Sequence, residues 1–349
     1  MTKTRSMPAE WSPQSAVMLT WPHADTDWRD VLETVEPVFM AIARSVLQFE
    51  SVLISCEDAA RLDEITARLN ADIAEHQLPG RVSGVVAPAD DTWARDHGPL
   101  AVSGNDGVTL LDFRFNAWGN KFPHQRDNAL NAKLAKAGAF GDTPLLSVDF
   151  VLEGGSVESD GQGTLLTTSE CLLTPERNPS FDRTSVEALL MEVLGADRVL
   201  WLNHGYLAGD DTDSHIDTLA RFCAPDHIAY VECNDPQDEH FEALQAMAEE
   251  LHQFRQADGS AYRLTSLPWP DAIYDADGER LPATYANFLI INGAVLVPVY
   301  DVPQDAEALQ ILAEIFPDRE IVAVPCRPLV AQHGSLHCVT MQLPEGVLP

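Results

Sequence analysis

Two hydrophobic patterns alternate along the whole chain. Apolar residues at every third or fourth position predict helices at Glu57–His76, Asp235–Gln256 and Gln304–Ile315. Short runs rich in Val, Ile and Leu predict strands at Val17–Trp21, Val52–Ser55, Val82–Ala87, Val108–Phe113, Phe150–Leu152, Leu165–Thr168, Val199–Leu202, Ile228–Val231, Phe288–Ile291, Val295–Val299 and Ile321–Val324. No low-complexity tract separates two halves, so we expect a single α/β domain over residues 1–349.

Residues with reactive or polar side chains recur at a coarse interval. Asp96, Glu153, His215, Asn287 and Cys338 are separated by 57, 62, 72 and 51 residues, and each lies in or beside an apolar run followed by turn residues. About five units with one such residue each suggest a ring of similar ββαβ modules around a central site. The units share too little sequence to be a repeat outright, so the spacing is only a hint at the architecture.

The chain is strongly acidic. It has 22 Lys and Arg against 54 Asp and Glu, which gives a net charge of −32, while hydrophobic residues make up 45% and are enough for a core. Such a charge repels nucleic acid and anionic lipid and attracts cations. It therefore favours a small cationic substrate, although solubility explains the charge equally well.

The N-terminal and cysteine patterns bear on the compartment. The first residues lack the apolar stretch of a secretory signal, and no run approaches the roughly 18 apolar residues that span a bilayer. The six cysteines contain no CxxC pair, which argues against a disulfide framework and a structural zinc site. We expect free thiols, a cytoplasmic location, and no nucleic-acid or membrane partner.

Two segments offer a nucleophile and a proton shuttle. Cys338 follows a turn at Gly334 and Ser335, where a thiol can be exposed enough to ionise and attack, although most lone cysteines are core residues. His215 and Asp217 lie two positions apart, so in extended chain they share a side and pair a proton shuttle with a carboxylate. The alternatives for this acidic segment are a solvated loop or a site for a hard cation.

Two further segments offer carboxylates. Asp96 follows Trp93 and Arg95; an aspartate can hold a guanidinium through two hydrogen bonds while an indole covers the cation, and the alternative is an Arg–Asp pair that fixes a turn. Glu153 ends an apolar strand before two glycines, which predicts a buried carboxylate that contacts a ligand or supports the histidine. Trp118 is by default a core or interface aromatic.

Several other site classes lack their motifs. No P-loop is present, and no GxGxxG motif opens a helix after a strand, so nucleotide binding is not predicted. Neither HExxH nor a paired His/Cys set occurs, so no metal is predicted.

Six segments in chain order resemble those of agmatine deiminases and the related bacterial peptidylarginine-deiminase-type proteins. They are DTWARDHGPL, FRFNAWGNKFP, LEGGS, DDTDSHIDTLARF, NFLIINGAVLVPVY and GSLHCVT. The resemblance extends over nearly the whole chain and implies membership of the guanidino-group-modifying superfamily. It implies the pentein fold, a five-bladed α/β propeller of pseudo-fivefold symmetry, with no cofactor and a homo-oligomeric state, often a dimer. The implied activity is hydrolysis of agmatine to N-carbamoylputrescine and ammonia, in putrescine and polyamine biosynthesis.

The resemblance also implies roles for individual residues. Cys338 would be the nucleophile, His215 the general acid and base, and Asp96 and Asp217 the residues that hold the guanidinium. We expect a covalent thiouronium intermediate on Cys338, from which His215 releases ammonia before it activates water. Two carboxylates beside the thiol should raise its pKa, so we expect little thiolate until the cationic substrate binds.

The remaining implied contacts are those of Glu153 and Trp93. Glu153 would be a supporting carboxylate near His215, and Trp93 would form a wall of the substrate channel. The turn at residues 333–336 departs from the glycine-richer, asparagine-containing turn of typical agmatine deiminases, which bears on substrate choice.

Three alternatives remain open at the level of the sequence. The same chemistry could act on free arginine or peptidyl-arginine, because Arg95, Arg221 or Arg327 could meet a substrate carboxylate. A metal-dependent hydrolase could use His215 and Asp217. A catalytically inactive protein could bind polyamines or guanidines.

Overall fold

The computed structural model describes residues 5–348, whose strands form five sheets. The strands are β1 (Arg5–Ser6), β2 (Gln14–Thr20), β3 (Ser51–Cys56), β4 (Val82–Val86), β5 (Leu100–Gly104), β6 (Gly107–Arg114), β7 (Leu145–Val151), β8 (Val157–Ser159), β9 (Thr164–Thr168), β10 (Arg198–Leu202), β11 (Ala220–Ala224), β12 (His227–Val231), β13 (Arg263–Leu267), β14 (Leu289–Ile291), β15 (Ala294–Val299), β16 (Glu320–Pro325) and β17 (Thr340–Pro344). The helices are α1 (Leu32–Leu47), α2 (Ala59–His76), α3 (Ala94–His97), α4 (Ala117–Asn120), α5 (Leu130–Lys136), α6 (Ser169–Leu172), α7 (Arg183–Val193), α8 (Phe241–Gln253), α9 (Asp305–Ile315) and α10 (Arg327–Val330).

The five sheets repeat one arrangement. Each contains an antiparallel pair, namely β5–β6, β8–β9, β11–β12, β14–β15 or β17–β2. A parallel strand then joins the second member of each pair, and the chain reaches it through helical connections, as parallel pairing requires. The first sheet gains β1 at its edge, and the last gains β4. This order matches the predicted ββαβ modules and confirms a mixed α/β fold.

One sheet joins a strand near the N-terminus to the most C-terminal strand. The C-terminal strand β17 pairs with β2 near the N-terminus, with Thr340 opposite Leu19. Cys338 lies just before β17, so the candidate nucleophile is held by a sheet that forms only when these two distant strands meet.

The apolar runs predicted eleven of the seventeen strands in residues 5–348, and they missed β1, β5, β8, β11, β13 and β17. Every predicted strand overlaps an observed one, although Phe150–Leu152 covers only the end of β7. Helix α2 begins two residues later than predicted, because the side chain of Asp58 accepts a hydrogen bond from the Arg61 backbone N–H and caps the helix. Helix α8 begins at Phe241 rather than Asp235, since the carboxylates of Asp235 and Asp238 accept backbone N–H groups in turns before it.

The helices bury apolar faces against the sheets. In α1, whose pattern is interrupted by Pro37 and which the sequence did not predict, Val35, Phe39, Ile42 and Val46 are buried. Each such side chain contributes roughly 1.5–3 kcal/mol when it leaves water. All six cysteines are free and buried, which confirms the prediction of free thiols. Within residues 5–348, no helix combines the length and the apolar character needed to cross a membrane.

Candidate active site

Each sheet contributes one candidate residue at the same place in its module. Asp96, Glu153, Asp217, Asn287 and Cys338 lie shortly before β5, β8, β11, β14 and β17, the first strands of the five antiparallel pairs. The regular spacing in the sequence therefore reflects equivalent positions in similar modules. Contacts among these residues and with His215, described below, bring them to a common site.

Gly155 marks the point where three of these side chains meet. A methyl group on Gly155 would lie 2.6 Å from Nδ1 of His215, 2.9 Å from Oδ1 of Asp96 and 3.0 Å from Oδ2 of Asp217. The backbone N–H of Gly155 donates to Oδ1 of Asp96 at 3.1 Å. The two-glycine turn after Glu153 thus allows the histidine and two aspartates to approach one backbone segment, and only glycine leaves them room.

Cys338 is largely buried, and it lines a cavity of about 180 Å³. Its thiol donates to Oδ1 of Asn287 at 3.4 Å, and the same oxygen accepts the backbone N–H groups of His337 and Cys338 at 2.9 and 3.3 Å. Burial, followed by the charges of Asp217 and Asp96, raises the pKa of the Cys338 thiol well above its ordinary value. This agrees with the direction expected from the sequence, with burial as the larger cause.

His215 is fully enclosed and lies beside Asp96. Its Nδ1 is 3.6 Å from Oδ1 of Asp96, while Nε2 is buried without a hydrogen-bond partner among the described residues. Burial alone would lower the pKa of His215, but Asp96, Cys171 and Glu153 raise it to about 10. Asp96 makes the largest contribution to this increase. The imidazole therefore carries its proton at neutral pH in the empty site.

Asp96 and Asp217 are both buried but have different partners. Oδ2 of Asp96 accepts the indole N–H of Trp118 at 3.0 Å, and burial raises the pKa of Asp96 to about 6. Oδ2 of Asp217 lies 2.7 Å from Nδ1 of His337. Burial would raise the pKa of Asp217, but the hydrogen bond and charge of His337 lower it overall. Oδ1 of Asp217 is buried and lacks a partner among the described residues.

Glu153 is absent from the cavity lining, and so are His215 and Asp217, whose side chains meet Asp96 beside Gly155. Glu153 is fully buried, and both of its carboxylate oxygens accept from Nε of Arg177, at 2.9 and 3.0 Å. Arg177 also donates to Asp213 at 2.6 Å and to the carbonyl of Thr212 at 2.8 Å. The sequence did not reveal Arg177, because nothing in its local segment marks it. The geometry fits a supporting role beside His215, and direct contact with substrate stays a prediction.

Trp93 and Trp118 form aromatic walls of the cavity. The indole N–H of Trp93 donates to Oδ2 of Asp91 at 3.0 Å. A side chain on Gly334 would collide with the Trp93 ring, so the turn before Cys338 packs directly on that ring. Trp118, which the sequence treated as a core aromatic, has a left-handed backbone (φ 54°) that turns its indole toward Asp96.

The acidic and basic side chains that line the cavity are mainly aspartates. They are Asp27, Asp91, Asp96, Asp210, Asp211 and His333. No lysine or arginine within residues 5–348 lines the cavity. Arg221 is buried and donates to Glu10, Glu158 and two carbonyls, and Arg327 donates to the carbonyl of Tyr300. Arg95 is also buried and hydrogen-bonded to Gln342.

Among residues 5–348, two groups of buried or partly buried side chains have donor atoms close enough together for a metal. They are Glu153 with Cys171 and His215, and Glu10 with Glu158 and His337. Each group contains an arginine that occupies its carboxylates, Arg177 in the first and Arg221 in the second. A fixed guanidinium at that distance repels a second cation, so these residues are poorly suited to hold a metal.

Comparison with known proteins gives a consistent result. A family model described as Porphyromonas-type peptidyl-arginine deiminase matches residues 6–344. The chain is 36% identical to the agmatine deiminase of Ectopseudomonas mendocina (strain ymp), with 97% of this chain and 95% of the relative covered.

Two solved structures resemble the whole fold. A protein of Porphyromonas gingivalis proposed to be an arginine deiminase has a TM-score of 0.91 at 48% identity, with 99% of this chain and 100% of that chain covered. An agmatine deiminase of C. jejuni, a cysteine-to-serine variant with substrate bound, has a TM-score of 0.88 at 37% identity, with 98% and 97% covered.

Proposed function

The chain belongs to the Porphyromonas-type peptidyl-arginine deiminase family, and on that premise we propose that it is an agmatine deiminase. Such an enzyme hydrolyses the guanidinium group of agmatine, and the products are N-carbamoylputrescine and ammonia. The product leads toward putrescine and so to polyamine biosynthesis.

The acidic lining of the cavity is the observation that favours agmatine as the substrate. Agmatine is a cation at both ends, and it would meet five aspartates around a cavity with no lining lysine or arginine among the described residues. Free arginine would bring a carboxylate into this acidic space, where like charges disfavour it. Arg95, Arg221 and Arg327, which the sequence offered as partners for such a carboxylate, do not line the cavity. The acidic lining therefore supports agmatine over arginine.

We assign the chemical steps to two residues that line the cavity, Asp96 and Cys338, and to two buried residues that meet Asp96 beside Gly155, His215 and Asp217. Asp96 and Asp217 hold the guanidinium; the thiol of Cys338 then loses its proton to solvent, and the Sγ thiolate attacks the central carbon. His215 donates a proton to one amino group as the carbon–nitrogen bond breaks, which releases ammonia and leaves a covalent thiouronium. His215 then takes a proton from water, whose oxygen attacks the same carbon. The carbon–sulfur bond breaks, and the ureido product and free thiol result.

The electrostatics of the empty site suit substrate-assisted ionisation. The thiol of Cys338 is protonated because burial and two carboxylates raise its pKa. A bound guanidinium cancels those carboxylate charges, so the pKa of the thiol falls when substrate is present. His215 already carries the proton that leaving ammonia needs, since its pKa is about 10.

The architecture around the site supports further parts of the proposal. Five sheets with the same strand order, each with one candidate residue before its first strand, support a five-bladed propeller formed by a single domain. The homodimeric state, the cytoplasmic location and the lack of a cofactor stay predictions.

A second candidate function is deimination of arginine or peptidyl-arginine, and it rests on the relative from Porphyromonas gingivalis. The deciding experiment measures ammonia release from agmatine, arginine and a blocked peptidyl-arginine side by side. We expect turnover of agmatine alone and none by Cys338→Ser. Preferential turnover of either arginine substrate would replace the proposal with the second candidate. Loss of activity on chelation would favour a metal-dependent hydrolase.

A further inference from the structure

His337, the residue before the nucleophile, lies between two carboxylates. Its Nδ1 is 2.7 Å from Oδ2 of Asp217, and its Nε2 is 2.8 Å from Oε2 of Glu10. The ring is buried, with 2% of the side chain exposed. The ring of His337 takes no part in the proposed chemistry of Cys338, so its burial between two carboxylates must serve another role.

The direction of the hydrogen bond to Asp217 follows from the acceptors. An ionised carboxylate only accepts, so Nδ1 of His337 must carry the proton that joins it to Asp217. On the other side of the ring, Arg221 approaches Nε2 at 3.1 Å while it also donates to Glu10 at 2.6 Å. Nε2 can accept from Arg221 or donate to Glu10, and either arrangement leaves Nδ1 as the donor to Asp217.

Glu10 reaches this position from the far end of the chain. It is 327 residues away from His337, and its other oxygen accepts the backbone N–H of Ile290 at 2.7 Å. Arg221 in turn donates to Glu158 at 2.5 Å. The ring of His337 is therefore fixed from behind by a buried, charge-paired group drawn from three distant parts of the sequence.

The two carboxylate oxygens of Asp217 have different surroundings. Oδ2 is held by His337, whereas Oδ1 is buried and has no hydrogen-bond partner among the described residues. A buried carboxylate oxygen without a partner costs free energy unless a ligand meets it. The arrangement anchors one oxygen and leaves the other for a guanidinium N–H.

From this geometry we propose that His337 is a positioning residue that keeps Asp217 charged and oriented for the guanidinium, with Glu10 fixing the ring. This role rests on the proposed function, because Asp217 is assigned there as a guanidinium ligand. His337 acts through Asp217 and does not itself touch the reacting atoms.

The groups around Asp217 define the pH dependence to expect. His337, His215, Arg221 and Arg95 favour its charged form, while Asp96 and Cys338, when ionised, oppose it. If the donor on His337 is lost, burial dominates, and Asp217 takes up a proton more readily. The affinity for the cation then weakens as the pH falls and recovers as the pH rises.

Two amide substitutions separate this role from simple packing. The side-chain amide nitrogen of an asparagine lies near the position of Nδ1, and that of a glutamine reaches the position of Nε2. His337→Asn keeps a donor for Asp217 but loses the contact with Glu10, and His337→Gln does the reverse. We compare KM and kcat for agmatine between pH 5.5 and 9 in the full-length protein.

We expect His337→Gln to raise KM roughly 10- to 100-fold at pH 7, with an increase that shrinks at higher pH. In His337→Asn we expect KM within about threefold of the unmodified protein, since the charge-assisted bond survives. The matched control is His240→Gln, because His240 is a buried histidine whose Nδ1 lies 2.7 Å from Asp238. It should lower thermal stability and leave the pH profile unchanged.

Equal effects of His337→Asn and His337→Gln, or a KM increase that does not vary with pH, would overturn the proposal. If thermal melts show that the variants do not fold, neutron diffraction of the unmodified protein decides instead. A deuteron on Nδ1 of His337 supports the proposal, and a ring protonated on Nε2 alone overturns it. If the unmodified protein releases no ammonia from agmatine, the proposed function fails, and the neutron result still reports separately on His337.

Discussion

Two aspartates face the same thiol and differ in what lies behind them. Asp96 is hydrogen-bonded to neutral donors, the indole of Trp118 and the backbone of Gly155, and burial raises its pKa to about 6. Asp217 is hydrogen-bonded to His337, which lowers its pKa. Both carboxylates are almost completely buried, so their partners, and not their burial, make the difference.

The difference divides the site into two parts. The proton-transfer side consists of Asp96, Gly155 and His215, whose titratable groups have pKa values raised to about 6 and about 10. The fixed-charge side consists of Asp217, His337 and Glu10. Pairs of titratable groups with pKa values pushed apart by their surroundings are typical of sites that move protons at neutral pH. One part can thus exchange protons while the other holds a constant negative charge.

The largest expected effect contrasts the two histidines. His215→Asn removes the proposed general acid and should lower kcat by about 10²–10⁴-fold. His337→Asn, on the fixed-charge side, should leave kcat within a few-fold. Steady-state ammonia release at pH 7.5 measures both, and thermal melts check folding. A loss of kcat of similar size in the two variants would contradict the division of the site.

The second effect contrasts the two aspartates. Asp217→Asn and Asp96→Asn should each raise KM for agmatine roughly 10- to 100-fold, because each removes a charged acceptor from the guanidinium. Asp96→Asn should also move the alkaline limb of kcat to lower pH, and further than Asp217→Asn does, because Asp96 is the largest of the charges that raise the pKa of His215. Asp96 raises the pKa of His215, so without it the imidazole loses its proton at a lower pH than about 10.

The control for these charge changes is Asp182→Asn at the exposed N-terminus of α7. Asp182 caps that helix by accepting the backbone N–H of Ser185, and asparagine caps a helix about as well, so Asp182→Asn removes a charge far from the site and should leave both folding and KM unchanged. A shift of the kcat profile in Asp217→Asn equal to that in Asp96→Asn would show that both aspartates act on His215 alike.

The sequence could predict residues whose surroundings are local. Cys338, His215, Asp96 and Asp217 lie in segments where turn residues and apolar runs place polar side chains at strand ends, and the structure brings them together. Eleven strands were predictable because a buried strand shows as an apolar run, whereas β5, β8, β11 and β17 were missed because their segments mix polar with apolar residues. Helix α1 was missed because Pro37 interrupts its pattern.

The residues behind the site could not be predicted in this way. Arg177 meets Glu153 across 24 positions, and Glu10 meets His337 across 327. Such pairs arise from tertiary packing, and no spacing in the sequence records them. His337 is adjacent to Cys338 in the sequence, but its role depends on its contact with Asp217, which is 120 positions away. The sequence thus identified the carboxylates of the site, but it could not predict the difference between their pKa values.

A smaller effect concerns the thiol itself. The charges of both aspartates raise the pKa of Cys338, so Asp217→Asn and Asp96→Asn should each lower the thiol pKa. Alkylation by iodoacetamide over a pH series, with Cys338 followed by mass spectrometry, measures the change in substrate-free protein. A thiol pKa well below 7 before any substitution would count against substrate-assisted ionisation, since little thiolate is expected in the empty site.

The smallest expected effect tests why Asp96 differs from Asp217. Trp118→Phe removes the indole N–H that reaches Oδ2 of Asp96 at 3.0 Å and keeps an aromatic ring against Phe115. Loss of one such bond should raise KM for agmatine about 3- to 10-fold. Because the bond favours the charged form, the pKa of Asp96 should rise further, and the acid limb of kcat/KM should move to higher pH.

The control for this substitution is Phe122→Leu. Phe122 lines the same cavity and packs edge-on against Trp118 with ring centroids 5.8 Å apart, but it has no hydrogen bond to offer Asp96. It should alter KM through contact alone and leave the acid limb in place. An identical shift of the acid limb in Trp118→Phe and Phe122→Leu would mean that the aromatic wall, and not the indole hydrogen bond, keeps the proton-transfer side apart from the fixed-charge side.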